Sequence, residues 1–143
     1  MNIYVLNETK SKIVKSKIKE QINIFKMKYR RGIDTISISY INDDDMTRLN
    51  NTYLNHEGST DIITFDYSEE GSNNLDGELI ICVDQAKRQS RQYKVLLENE
   101  LTRLLFHGLL HLEGFNDGTD DERRVMKDKE DELLELWYQG DER

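Results

Sequence analysis

Apolar and polar positions along the chain switch between a period of two and a period near 3.6. The opening IYVLN reads as a short strand. After it, Ile13, Ile18, Ile22, Ile24 and Phe25 form an apolar stripe at helical spacing. DTISISYI alternates as a half-buried strand does. Asn42 or Asp43 can cap the next helix, predicted to run to Leu54 with Met46, Leu49 and Tyr53 inward. The loop LNHEGST leads into a third strand, DIITFDY, and the acidic, Gly- and Asn-rich SEEGSNNLD reads as a turn into a fourth, GELIICV. Asp84 is expected to cap a helix ending near Tyr93. A longer helix is expected from about Leu96 to His111 and a last one from near Thr119 to near Tyr138. The pattern predicts an α+β fold: a single domain over 1–143 with one mixed four-stranded sheet packed with about five helices.

Composition bounds what this domain is for. A chain of 143 residues, 36% hydrophobic and 34% charged, supports one core with little surplus apolar surface. No segment approaches the roughly 20 apolar residues of a membrane span, and MNIYVLNETK lacks a basic stretch followed by a hydrophobic signal core. A cytoplasmic protein with no membrane partner is expected. Cys82 is the single cysteine and lies in an apolar run, so it reads as a small buried hydrophobe.

The net charge of −8 argues against a nucleic-acid partner until its distribution is examined. From Lys10 to Arg31 there are nine bases and one acid, Glu20, whereas Glu113 to the end carries twelve acids and five bases. The basic segment reads either as a solvated helix face or as a surface for a polyanion.

The chemistry concentrates in LLFHGLLHLEGFNDGTDDE. In a helix, His107 and His111 lie one turn apart on one face and can aim ring nitrogens at a common point about 2 Å from each. Gly108 thins the helix beside them; Gly114 ends it and turns the chain so that Asp117 can return to the same ion. Two imidazoles and a carboxylate form a three-ligand site with a position left open, the arrangement of catalytic rather than structural zinc. The site thus falls at the end of the central helix. The sequence HGLLH has Gly and Leu where an H-E-x-x-H protease has its general-base glutamate, which removes the main support for peptide hydrolysis.

These residues carry a resemblance. HGLLHLEGFND resembles the H-G-x-L-H-L-x-G-[YF]-x-H signature of the YbeY family of bacterial metal-dependent endoribonucleases. LNNTYLNHEGSTDIITFDY is similar to the family's LN-x-x-[YF]-R…T-[ND]-V-L-S-F segment, and DGELIICVDQAKRQS to its G-[DE]-[IV]-x-[IV] strand with the helix after it. The resemblance implies a mixed sheet around a central helix and one divalent ion, zinc above others. It also implies cleavage of single-stranded RNA near the small-subunit rRNA 3′ end, with roles in ribosome quality control and the small subunit as partner.

Two positions depart from the family pattern. Asp117 stands where the family has a third metal histidine; carboxylate oxygen still ligates zinc at about 2.0–2.2 Å, and it shifts preference toward harder ions such as Mn. Leu54 stands where the family has an arginine that could clamp phosphate, and Arg48, one turn earlier, is a candidate substitute or an exposed helix charge. An ion at the three ligands would lower the pKa of its water toward about 7 and offset charge on a phosphate oxygen. Thr60 and Asp61, at the mouth of the third strand, are candidates to touch substrate or support the ligands; they also read as a turn and a strand cap. His56 reads as a surface residue rather than a fourth ligand, and Glu113 as solvent-exposed rather than as a base. Two rival readings are a metal-dependent hydrolase of a small substrate and a noncatalytic ribosome-associated module with a structural metal.

Overall fold

A computed structural model describes residues 1–54 and 60–141, with the backbone alone at 53, 54 and 141. Four strands form one sheet: β1 (Asn2–Asn7), β2 (Gly32–Ile41), β3 (Ile62–Asp66) and β4 (Asn74–Cys82). Their order is β1-β2-β4-β3, with β1, β2 and β4 parallel and β3 antiparallel to β4. The parallel pairing of β1 and β2 requires a crossover, which α1 (Lys15–Tyr29) supplies. Of the stripe expected on α1, Ile18, Ile22 and Phe25 are buried, Ile24 is partly buried against the core, and Ile13 packs there from before the helix begins.

The alternation along β4 divides the interior. Leu79 and Ile81 join the main core against the helices, while Ile80 and Cys82 face a smaller cluster with Ile41, Met46 and Ile63. That second face is covered by α2 (Asp43–Leu49), through Met46 and Leu49. The helix expected to reach Leu54 changes character after Leu49, and Asn50–Leu54 form a single π-helical turn. Asn42 caps α2 by accepting from the Asp45 N–H at 3.0 Å. Cys82 is fully buried, as its apolar setting predicts.

One cap falls elsewhere than expected. Helix α3 (Val83–Tyr93) starts at Cys82 without a side-chain cap, and the Asp84 carboxylate instead accepts from the Asp43 N–H of α2 at 2.8 Å. With Val83 already helical, Asp84 lies inside the first turn, where its carboxylate is better aimed at the neighbouring helix's exposed N–H groups.

Helix α4 (Leu97–Glu113) is the centre of the molecule. Leu104, Leu105, Phe106, Leu109 and Leu110 are fully buried, because α4 touches α1, α3, α5, β3 and β4. Gly108 faces the sheet at close approach: a Cβ there would lie 2.9 Å from Ile62 Cδ1 and Leu79 Cδ2. Gly114, at φ 117°, ends α4 in the left-handed conformation. Its N–H donates to the His111 carbonyl and the Phe115 N–H to the Leu110 carbonyl, which satisfies two of the helix's last carbonyls. Helix α5 (Asp120–Asp141) begins with a reciprocal cap: Thr119 Oγ1 accepts from the Glu122 N–H and Glu122 from the Thr119 N–H, both at 3.1 Å. Among the described residues, no helix is long and apolar enough to cross a membrane.

Candidate metal centre

The turn at Gly114 brings Asp117 back over the last turns of α4. His107 Nε2 and His111 Nε2 are 3.1 Å apart, and Asp117 Oδ2 lies 3.2 Å from the first and 3.3 Å from the second. Tetrahedral ligands about 2.0–2.1 Å from an ion stand about 3.3 Å from one another, so this nearly equilateral triangle fits a divalent ion. The two imidazoles meet edge to face, at an interplanar angle of 84°, which points both Nε2 atoms inward without stacking the rings. Within the described residues this is the group of His and Asp side chains close enough to hold a metal.

Behind the triangle lies a polar network that the sequence reading does not contain. His107 Nδ1 is 2.8 Å from the Oε2 of Glu130, a buried carboxylate on α5. This bond places the imidazole proton on Nδ1 and leaves the Nε2 lone pair for an ion, the usual way a carboxylate orients a metal-binding histidine. Arg103, one turn before His107, donates through Nη1 to Glu130 Oε1 and through Nη2 to Glu100 Oε2, both at 2.9 Å. Gln89 of α3 donates to the same Glu100 oxygen at 3.1 Å. Burial would push the Glu130 carboxyl up, but the hydrogen bonds and charges of His107 and Arg103 hold it below its ordinary value.

His107 shows the converse balance. Burial pulls its pKa down, and the bond to Glu130 with the charges of Glu130, Asp117 and Asp61 outweighs it, leaving the pKa above the ordinary value. Since a protonated imidazole cannot ligate, ion affinity is expected to fall on acidification, beginning above the range of a free histidine. Chelator competition at a series of pH values measures it; a pH-independent affinity would exclude His107 as a ligand.

The other sequence candidates scatter. Asp61 lies one residue before β3, its carbonyl accepting from the Cys82 N–H at 2.9 Å, and its charge is felt at His107. Thr60 precedes it, half-buried. Arg48 is exposed, pairs with Asp45 and rises from α2, over the sheet face opposite α4. Glu113 is not solvated: its side chain is 18% exposed and its Oε2 lies 3.2 Å from Arg31 Nε. Both atoms are buried and lack hydrogen-bond alignment, so the contact is an ion pair without a directed bond. It points Glu113 toward the base of α1. His56 and the side chains of Tyr53 and Leu54 lie outside the described residues.

A signal for Glu100 and Arg103 was present: they are charged residues at −7 and −4 from His107 on an apolar helix, on the histidine's own face. Glu130 sits among the many acids of α5 and carries no such mark.

Comparison with known proteins shows what the chain is similar to. The family model for Endoribonuclease YbeY matches residues 3–138. A protein named Endoribonuclease YbeY from Azobacteroides pseudotrichonymphae is 41% identical over 107 residues, 75% of this chain and 76% of its own length. One of the same name from Bacteroides fragilis is 37% identical over 124 residues, 87% of this chain and 88% of its own. A solution structure of a Thermotoga maritima protein shares the fold at a TM-score of 0.68 and 23% identity, covering 96% of this chain and 90% of that one. The match to the family model over nearly the whole chain, and identities of this size across most of each relative, establish that the chain belongs to the Endoribonuclease YbeY family.

Proposed function

We propose that this chain is a single-strand-specific, metal-dependent endoribonuclease acting in the cytoplasm on small-subunit rRNA, in 3′-end maturation and ribosome quality control. The observation that carries the reading is the triangle of His107, His111 and Asp117 donors with Glu130 behind it. Family membership supports RNA as the substrate. A zinc-like ion bound there supplies an activated water and charge stabilisation at a phosphodiester. The chain's own residues do the rest. Glu130 fixes the His107 tautomer, Asp117 contributes the oxygen donor, and Asp61, whose charge is felt at His107, is the candidate to orient an attacking water or support His107. Thr60, next to Asp61 in the chain, is the candidate to touch the RNA strand. Arg48 keeps a role only if the strand wraps past β3 to the sheet's other face.

The basic segment supports the same reading. Lys17, Lys28 and Arg31 are paired with Glu98, Glu132 and Glu113, whereas Lys15, Lys19 and Lys26 have no ion pair among the described residues. Replacing these three with Gln is expected to flatten the salt dependence of RNA binding by up to about 2 in log–log slope, about 0.7 per lost phosphate contact. An unchanged slope would leave the helix as a solvated face.

The deciding experiment compares cleavage of a single-stranded RNA and of the same sequence in duplex, with the ion removed by chelator and restored. Ion-dependent cut of the single strand alone supports the proposal. An ion that raises only the melting temperature would make the centre structural, the outcome that Leu54 in place of arginine favours. Turnover of small phosphodiesters but not RNA would make it a small-substrate hydrolase.

A further inference from the structure

Beside the candidate centre runs a groove of about 750 Å³ between α4, α5 and the turn joining α3 to α4. His107 and Asp117 line it, so the groove and the donor triangle are continuous. Its volume falls within the ~300–1,000 Å³ of small-ligand sites. Met126 and Leu134 form an apolar wall. Two phenols stand at its sides: Tyr93, 54% exposed at the end of α3, and Tyr138, 37% exposed on α5.

The floor tells what the groove can hold. It consists of Glu100, Arg103 and Glu130, and the guanidinium is already committed to both carboxylates. The cations at the rim are engaged too: Arg123 donates to the carbonyls of Asp117 and Gly118, and Lys127 pairs with Asp131. A phosphate placed here would meet two acids and no uncommitted cation on the floor. A flat, uncharged aromatic ring would meet apolar wall and phenol faces, which bind bases of any sequence by stacking.

We propose that this groove is a nucleobase subsite, in which one unstacked base of an RNA strand packs against Tyr93 and Tyr138 while the adjoining phosphodiester reaches the His107–His111–Asp117 centre. The inference rests on the RNA-cleaving reading of that centre. It also gives single-strand selectivity a physical source, since a base in a duplex must first break its pair and stack to enter.

Binding of a short single-stranded RNA in chelator, where cleavage is off, tests the subsite. Tyr93→Leu and Tyr138→Leu are each expected to weaken binding about tenfold, and Tyr93→Phe to retain it. An abasic nucleotide moved along the strand should cost the wild-type protein about tenfold at one position. At that position it should cost Tyr93→Leu nothing further, because both changes remove the same contact. Additive losses, or an abasic scan without a favoured position on the wild-type protein, would overturn the subsite; the scan decides even if a tyrosine variant folds poorly. Cleavage by the ion-loaded protein is read separately. A positional, non-additive loss without cleavage keeps the subsite and rejects the nuclease reading, and cleavage with additive losses does the reverse.

Discussion

Arg103→Met is expected to destabilise the fold by about 3–5 kcal/mol, a substantial part of the stability of a domain this size. The reason is what stays behind. Glu100 and Glu130 are 1% and 4% exposed, and both are paired with this guanidinium. Methionine fills much of the space but supplies no donor, so two buried carboxylates lose their shared cation and keep only the Gln89 amide at Glu100 and the His107 imidazole at Glu130. The pH dependence identifies the mechanism. In the wild-type protein Glu130 is held below its ordinary value, so its contribution is present above about pH 4.5 and is lost as pH falls through the lowered folded value. In Arg103→Met the cation is gone and protonation relieves the repulsion, so the stability deficit should shrink on acidification from about pH 7 toward about pH 5. Urea unfolding at several pH values checks both parts. Adding Glu100→Gln should recover part of the loss, because a neutral amide is cheaper to bury than a second carboxylate. A deficit independent of pH would mean that Arg103 acts through packing alone.

How much of this was readable beforehand depended on the range over which each residue is determined. The strands and helices follow from local periodicity, and four strands and five helices occur in the expected order, although β4 begins at Asn74, inside the expected turn, and Val83 belongs to α3 rather than to the strand. The histidine pair and the Gly114 turn are also local: helical spacing and one left-handed residue suffice to bring Asp117 round. The helix expected through Leu54 gives way after Leu49 to a π-helical turn, at a junction where the polar Asn50 is buried at 2%, a local change that apolar periodicity does not register. Asp84 was misplaced for a related reason: a capping residue type is visible in sequence, but which helix end it serves depends on how α2 and α3 meet. Glu130 was invisible. It lies 23 residues beyond His107, and only the packing of α5 on α4 selects it from its acidic neighbours. Arg48 shows the opposite failure. The sequence placed it six residues before Leu54, nearly two turns along one expected helix, and the side of the sheet on which α2 packs is a tertiary fact.

The largest effect is expected at Asp117, the position where this chain departs from the histidine of the family pattern. Asp117→Ala should lose most of the bound ion, while Asp117→His should keep it. The loop supports this contrast, because its course does not depend on the carboxylate. It leaves α4 through backbone bonds of Gly114 and Phe115, and Arg123 grips the main-chain carbonyls of Asp117 and Gly118. Alanine therefore deletes a donor and leaves the backbone in place, whereas histidine restores a donor on the same turn. Even residues that only orient a ligand cost about 10–100-fold in metal affinity when removed, so loss of one of three ligands should exceed about 100-fold. Elemental analysis after dialysis against a chelator gives the content. The rise in melting temperature with added ion gives an independent measure, since an ion bound only by the folded protein stabilises it by mass action. The wild-type protein and Asp117→His should show that rise, and Asp117→Ala should not. Replacement of the oxygen by a third nitrogen should also move preference away from Mn and toward zinc, because imidazole suits zinc better than a carboxylate suits it against harder ions. Equal ion content in Asp117→Ala and the wild-type protein would remove Asp117 from the ligand set and leave a two-histidine site, too few protein donors for a catalytic zinc centre.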